Sequence, residues 1–135
     1  MRTYATQMDA AKQGIITPEM KVVAAKEYKT EEEIRALVAK GQVVICANKR
    51  HTCSDPNGVG SRLRTKINVN RGVSRDCKDY DSERKKVMAE VHRGAEESRD
   101  LASHGNTQTF RRKLTAECTA RNGTVHVYDR GIHEQ

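Results

Sequence analysis

The sequence predicts an α/β chain: amino-terminal helices plus a strand, followed by a βαβαβ segment. Three observations predict it. Thr30-Glu-Glu-Glu33 followed by Ile34, Leu37 and Val38 is a capping box leading into an apolar helical stripe. Over residues 63–70, Leu63, Thr65, Ile67 and Val69 alternate with Arg64, Lys66, Asn68 and Asn70, the period of two of a half-buried strand. Beyond residue 70, stretches of strand and helix character alternate, as parallel strands joined by crossover helices require.

In chain order, a short helix runs over 6–13, with Thr6 as N-cap and Gly14 beyond its end. Thr17-Pro18-Glu19 starts a second helix, because threonine caps and proline at the first helical position lacks an N–H that would be unsatisfied anyway. Its stripe is Met20, Val23, Ala24 and Tyr28. The helix after Thr30 closes at Gly41. Residues 42–48 form a strand, and the consecutive Val43, Val44 and Ile45 suggest burial on both faces. Residues 49–62 form a long loop with the turn chemistry of Asp55-Pro-Asn-Gly58 and Gly60. The strand over 63–70 follows. Asp81 or Ser82 caps a helix ending at Gly94, with Val87, Met88 and Val91 inward. Residues 95–101 take the place of the next strand, although Glu96-Glu-Ser-Arg-Asp100 has poor strand propensity. Asn106 or Thr107 begins a helix with Phe110 and Leu114 inward, and residues 124–129 alternate as a last strand. The organisation expected is residues 1–62 as a helical region with strand 42–48 and a loop, and 63–135 as the βαβαβ segment.

Composition narrows the function classes. Of 23 Leu, Ile, Val and Phe residues, 14 precede residue 71 and 9 follow, so the second half is short of apolar surface. No signal peptide pattern opens the chain, no run reaches transmembrane length, and Cys46, Cys53, Cys77 and Cys118 form no CxxC. These features point to a cytoplasmic protein with reduced thiols and no membrane partner. The net charge is +7. Its basic groups, Arg62/Arg64/Lys66, Arg84-Lys-Lys86 and Arg111-Arg-Lys113, admit a nucleic-acid-binding module as one reading. Interleaved acidic residues and a near absence of aromatics make a solvated surface the better account.

Several residues carry possible chemistry. Asn68 and Asn70 end the 63–70 strand, where α/β proteins hold ligands, and they equally suit the close of a strand. His51 and Cys53 with Cys46 or Cys77 are a candidate metal set, but their spacing matches no structural zinc pattern, and plain thiols are the simpler reading. Gly58-Val-Gly60 is too short for a phosphate fingerprint, though Lys49, Arg50 and His51 beside it could meet an anion. His104 falls in a predicted strand-to-helix loop; it, His92, His126 and His133 form no spaced set.

Thr6-Gln-Met-Asp-Ala-Ala-Lys-Gln-Gly-Ile-Ile-Thr17, Leu37-Val-Ala-Lys-Gly-Gln-Val-Val-Ile45, Ala47-Asn-Lys49, Thr65-Lys-Ile-Asn-Val-Asn70, Gly123-Thr-Val125 and Tyr128-Asp129 together resemble the amino-terminal part of the phosphomethylpyrimidine synthase and 5-hydroxybenzimidazole synthase family. Ile45-Cys-Ala-Asn-Lys49, with Cys46 where the pyrimidine branch usually has proline, and Ser74-Arg-Asp-Cys-Lys-Asp-Tyr80 lean toward the hydroxybenzimidazole branch. The resemblance implies the first part of a (β/α)8-type barrel. It also implies radical chemistry on 5-aminoimidazole ribotide, supplied by S-adenosylmethionine and a 4Fe–4S cluster whose cysteines lie in a CxxC-x4-C run. This sequence has no such run, so no cofactor is expected in it. Carried over by matching position, Asn70 and Tyr128 are substrate contacts, and Arg99 stands where the family has a contacting methionine. Arg71, Glu97, Ser98, Thr119, Arg121, Asn122, His126, Arg130 and Gly131 likewise depart from the family pattern, most where it is apolar. Unpaired charges inside a closed barrel are costly. These departures therefore predict surfaces facing water in a truncated, engineered, non-catalytic fragment or scaffold. An active or substrate-binding fragment is the alternative, as is weak binding of a small nucleotide. Open strand edges would allow pairing with a second copy.

Overall fold

A computed structural model describes residues 3–46, 51–73, 79–102, 105–125 and 127. The chain divides into two compact units, residues 1–47 with 56–65, and residues 48–55 with 66–135. Among the described residues, no helix is long and apolar enough to cross a membrane.

The first unit holds α1 (Gln7–Lys12), α2 (Pro18–Lys26), α3 (Glu31–Ala39), β1 (Val43–Ile45) and β2 (Gly58–Gly60). Each helix is started by a threonine, as the sequence predicts. The hydroxyls of Thr6, Thr17 and Thr30 accept from the N–H groups of Asp9, Met20 and Glu33. At α3 the box is reciprocal, since Glu33 Oε2 accepts from the Thr30 N–H at 2.8 Å. The stripes of α2 and α3 meet the strand in one core of Met20, Val23, Ala24, Ile34, Leu37, Val38, Val43 and Ile45, joined by Ala11.

Three expectations fail in this unit. Tyr28 is no part of the α2 stripe: it follows the helix at φ +53 and is 96% exposed. Only Val43 and Ile45 are buried in β1, while Val44 is 56% exposed, because the strand has one covered face. The loop over 49–62 also contains β2, which pairs antiparallel with β1, Val44 opposite Val59. Gly60 explains why that strand reads as a loop. Its φ is +147, and a Cβ there would stand 2.1 Å from the Gln42 carbonyl oxygen, so only glycine permits the approach. Gly58-Val-Gly60 is thus strand backbone rather than a phosphate loop.

The second unit is a βαβαβ segment: β3 (Asn68–Arg71), α4 (Tyr80–His92), β4 (Glu97–Asp100), α5 (Thr107–Glu117) and β5 (Arg121–Thr124). The strands are parallel in the order β3-β4-β5. The α/β class and the strand–helix alternation are as predicted; the boundaries differ. β3 begins at Asn68 rather than residue 63, and Ile67 is 59% exposed. Leu63 packs on the first core and the Arg64 N–H donates to Glu27, so the alternating run is shared between two units. Asp79, not Asp81 or Ser82, caps α4, accepting from both of their N–H groups. Met88 is exposed, and Glu83 takes its place beside Val87 on the buried face. The last strand is Arg121–Thr124, earlier than residues 124–129.

β4 forms despite its composition because it is the central strand, bonded on both edges. Asn68, Glu97 and Arg121 share one cross-strand row, and Asn70, Arg99 and Gly123 share the row two further along. The departures expected to face water do not all do so. Arg99 is exposed, but Arg71, Ser98 and Arg121 are buried. The apolar shortfall explains this: the second core is only Val87, Phe110, Leu114, Cys118 and Ala120, with Tyr80 and Val91 against it. Partnered polar side chains fill the remaining layer. Arg71 Nε donates to Ser98 Oγ at 2.8 Å, and its Nη2 to Asn122 Oδ1 at 3.4 Å. Its Nη1 lies 3.7 Å from Asp100 Oδ1, and its guanidinium lies 5.3 Å from the Phe110 ring centroid. Arg121 Nη2 is 3.4 Å from Glu97 Oε2.

Candidate functional site

The carboxyl end of β3 opens on a cleft of about 360 Å³ lined by Asn70, Arg71, Gly72, Val73, Glu83, Lys86, Glu90 and Leu101. Clefts at the carboxyl ends of parallel strands are where α/β sheets take ligands, since backbone and side-chain groups converge there without blocking the ladder. Gly72 makes the close approach of the strand ends possible: at φ +154, a Cβ would lie 2.5 Å from the Ala102 nitrogen. The ends are then tied together. The Leu101 N–H donates to the Arg71 carbonyl at 2.7 Å, and the Ala102 N–H to Asp100 Oδ1 at 3.0 Å. From α4, Glu83 accepts the Gly72 N–H at 3.3 Å and the Lys86 ammonium at 2.6 Å.

Electrostatics distinguish the carboxylates. Burial pushes the Glu90 carboxyl above its ordinary value, and the neighbouring Glu83 pushes the same way, against Arg71 and Lys86. Burial also lowers the Arg71 guanidinium, which Asp100 opposes. A carboxyl raised in the folded state contributes stability that is complete below its unfolded pKa and lost as pH rises through the folded one. Glu90→Gln is therefore expected to be more stable than the parent at neutral pH and equal to it below the ordinary carboxylate range. Urea midpoints at the two pH values check this, and a gain that persists in acid would assign the effect elsewhere.

Of the residues predicted from sequence, Asn70 lines this cleft. Asn68 Nδ2 donates to Asn70 Oδ1 at 3.4 Å, so the two strand-end amides touch. Arg99 stands beside Asn70 in the same cross-strand row. Tyr128 lies outside the described residues, as do Lys49, Arg50, Cys77, His104, His126 and His133. Sequence reasoning missed Glu83, Lys86 and Glu90. Their spacing of three and seven places them on one helix face, the signal that could have singled them out.

His51 and Cys53 have a structural task. His51 Nε2 donates to the Cys118 carbonyl, and Cys53 Sγ lies 3.2 Å from that oxygen and 3.3 Å from the Thr115 carbonyl. Together with the Asp55 N–H on the Thr119 carbonyl, they satisfy the end of α5. Burial pushes the Cys118 thiol up, so it stays protonated at neutral pH. Among the described residues, no three His, Cys, Asp or Glu side chains are grouped to hold a metal ion. The Cys118 thiol is buried and Cys53 Sγ is engaged by two backbone carbonyls, a donor set that does not fit an iron–sulfur cluster. The basic groups are partly spent on carboxylates: Arg64 lies 3.6 Å from Glu27, Arg84 2.7 Å from Glu117, and Arg111 3.8 Å from Asp100.

Known proteins resemble this chain over nearly its whole length. It is 53% identical over 126 residues to a protein named phosphomethylpyrimidine synthase from Alkaliphilus oremlandii (strain OhILAs), a match covering 93% of this chain and 29% of the relative. Proteins of the same name from Clostridium novyi (strain NT) and Clostridioides difficile (strain 630) are 52% and 51% identical over the same shares. The chain thus spans about 29% of the length of these relatives. Residues 6–135 match the model of the family described as the Radical SAM ThiC family, and the chain belongs to that family.

Proposed function

We propose that this chain is a non-catalytic, substrate-binding part of a phosphomethylpyrimidine synthase-type enzyme, holding 5-aminoimidazole ribotide at the carboxyl end of β3. Asn70 at the mouth of the cleft carries this reading. It matches the family's substrate-contact asparagine, and its amide offers both a donor and an acceptor to a polar heterocycle or ribose. Arg99, next to it in the row, adds a cation suited to a phosphate where the family has methionine. The radical step, with S-adenosylmethionine and an iron–sulfur cluster, is assigned to parts of the synthase beyond this sequence.

Titration calorimetry with 5-aminoimidazole ribotide tests the assignment. Loss of one hydrogen bond is worth about 1–1.5 kcal/mol, so Asn70→Ala should bind about tenfold more weakly. Asn70 is exposed, so the variant should keep the parent's melting temperature. Equal affinity in parent and variant would sink the proposal. The hydroxybenzimidazole branch is a second reading, resting on Cys46 in Ile45-Cys-Ala-Asn-Lys49. Product analysis of a whole synthase carrying this segment discriminates the two branches.

A further inference from the structure

The first unit carries a second, smaller cleft, of about 130 Å³, lined by Lys29, Glu33, Ala36, Leu37, Lys40 and Arg62. We infer that this cleft is a phosphate-binding site, taking the phosphate group of a small phosphorylated molecule whose remainder stays in solvent. It is independent of Asn70 and of the cleft beside β3.

Three cations and one carboxylate line the cleft, a formal excess of two positive charges. Among the described residues, none of Lys29, Lys40 and Arg62 has a carboxylate within ion-pair distance, in contrast to Arg35, Arg64, Arg84 and Lys86. Glu33 offsets only one of these three charges. Its Oε2 is taken by the Thr30 N–H at 2.8 Å and the Thr30 hydroxyl at 2.9 Å, and it feels Lys29 and Arg62 only through space. Cations gathered around a concavity without partners repel one another, and an oxyanion relieves that repulsion.

Among the described residues, two non-glycine residues have positive φ, Tyr28 at +53 and Arg62 at +64. One immediately precedes Lys29, and the other lines the cleft itself. Arg62 is held there from both sides: the Ser61 N–H donates to the Gln42 carbonyl at 2.9 Å, and Leu63 packs on the core. Glycine would adopt this conformation without strain, yet the position carries a long cation, and strain of this kind gathers at binding sites. A cleft of about 130 Å³ has room for a phosphate group.

The test is an amide-resolved NMR titration of the whole chain with inorganic phosphate, and then with ribose 5-phosphate, against sodium chloride at matched ionic strength. Saturable shifts at Lys29, Glu33, Ala36, Leu37, Lys40 and Arg62 with both phosphates, and none with chloride, are expected. Arg62→Gly removes the cation while easing the backbone, so it should keep the fold and weaken phosphate binding at least fivefold. Lys29→Gln/Lys40→Gln/Arg62→Gly should abolish the shifts. Equal shifts with chloride, shifts elsewhere only, or unchanged affinity in Arg62→Gly would overturn the site. Tight binding of a random single-stranded RNA that the triple variant loses, without ribose 5-phosphate shifts, would overturn the small-molecule assignment in favour of nucleic acid.

Discussion

Arg71→Met is expected to destabilise the second unit by roughly 3–5 kcal/mol, the cost of leaving one member of a buried ion pair alone. The side chains of Arg71 and Asp100 are 1% and 2% exposed, and this guanidinium serves Asp100, Ser98 and Asn122 at once. Methionine fills much of the volume but satisfies none of these groups. Arg111 lies 3.8 Å from the second carboxylate oxygen of Asp100, a contact as long as that of Arg71, so it keeps part of the charge pairing and sets the loss toward the lower end of this range. Arg71→Lys is not expected to rescue the loss, because an ammonium lacks the planar fork that reaches three partners while lying over Phe110. Urea unfolding of parent, Arg71→Met and Arg71→Lys checks both statements. A loss below about 1 kcal/mol in Arg71→Met would show that the pair adds little net stability.

Leu114→Ala is the second large effect, expected at about 2–5 kcal/mol. Leu114 is 1% exposed and packs with Val87, Phe110, Cys118 and Ala120, an apolar cluster with few members to share the loss. Arg71, which lies over the Phe110 ring, and Asp100 are fixed by their own hydrogen bonds, so the layer cannot readily collapse into the cavity. Thermal unfolding followed by circular dichroism measures the change. A shift no larger than that of an exposed control such as Met88→Ala would mean that the site refills.

Much of the fold was legible because it is written locally. Thr6, Thr17 and Thr30 reach only three residues ahead to start their helices, so sequence alone contains both partners. The strands were harder because their stabilising partners are distant. The alternating run from Leu63 looks continuous, yet Leu63 packs with the first core while Val69 pairs with Ser98 in the parallel sheet. Glu97–Asp100 reads as a poor strand, since what buries Ser98 and Asp100 is an arginine 27 residues away from Ser98. In the same way Asn70 could be picked out by its place at a strand end. Glu83, Lys86 and Glu90 were hidden in a helix whose charges resemble an ordinary solvated face, and burial of Glu83 depends on Gly72 presenting an N–H to it. The departures from the family pattern suggested that polar residues in the second half face water. The better inference from an apolar deficit was that some must be buried in pairs.

The segment around His51 and Cys53 has a bearing on the order of assembly. The strands β3, β4 and β5 are neighbours in sequence as well as in space, so each crossover can close over a few tens of residues. The His51 contact with Cys118 spans 67 residues and must close a far larger loop. Loop-closure entropy rises with length and must be met before the contact returns anything. The end of α5 therefore waits: its helix and sheet neighbours can form from nearby chain while its last carbonyls are still served by water, and the long-range contact arrives late as a latch.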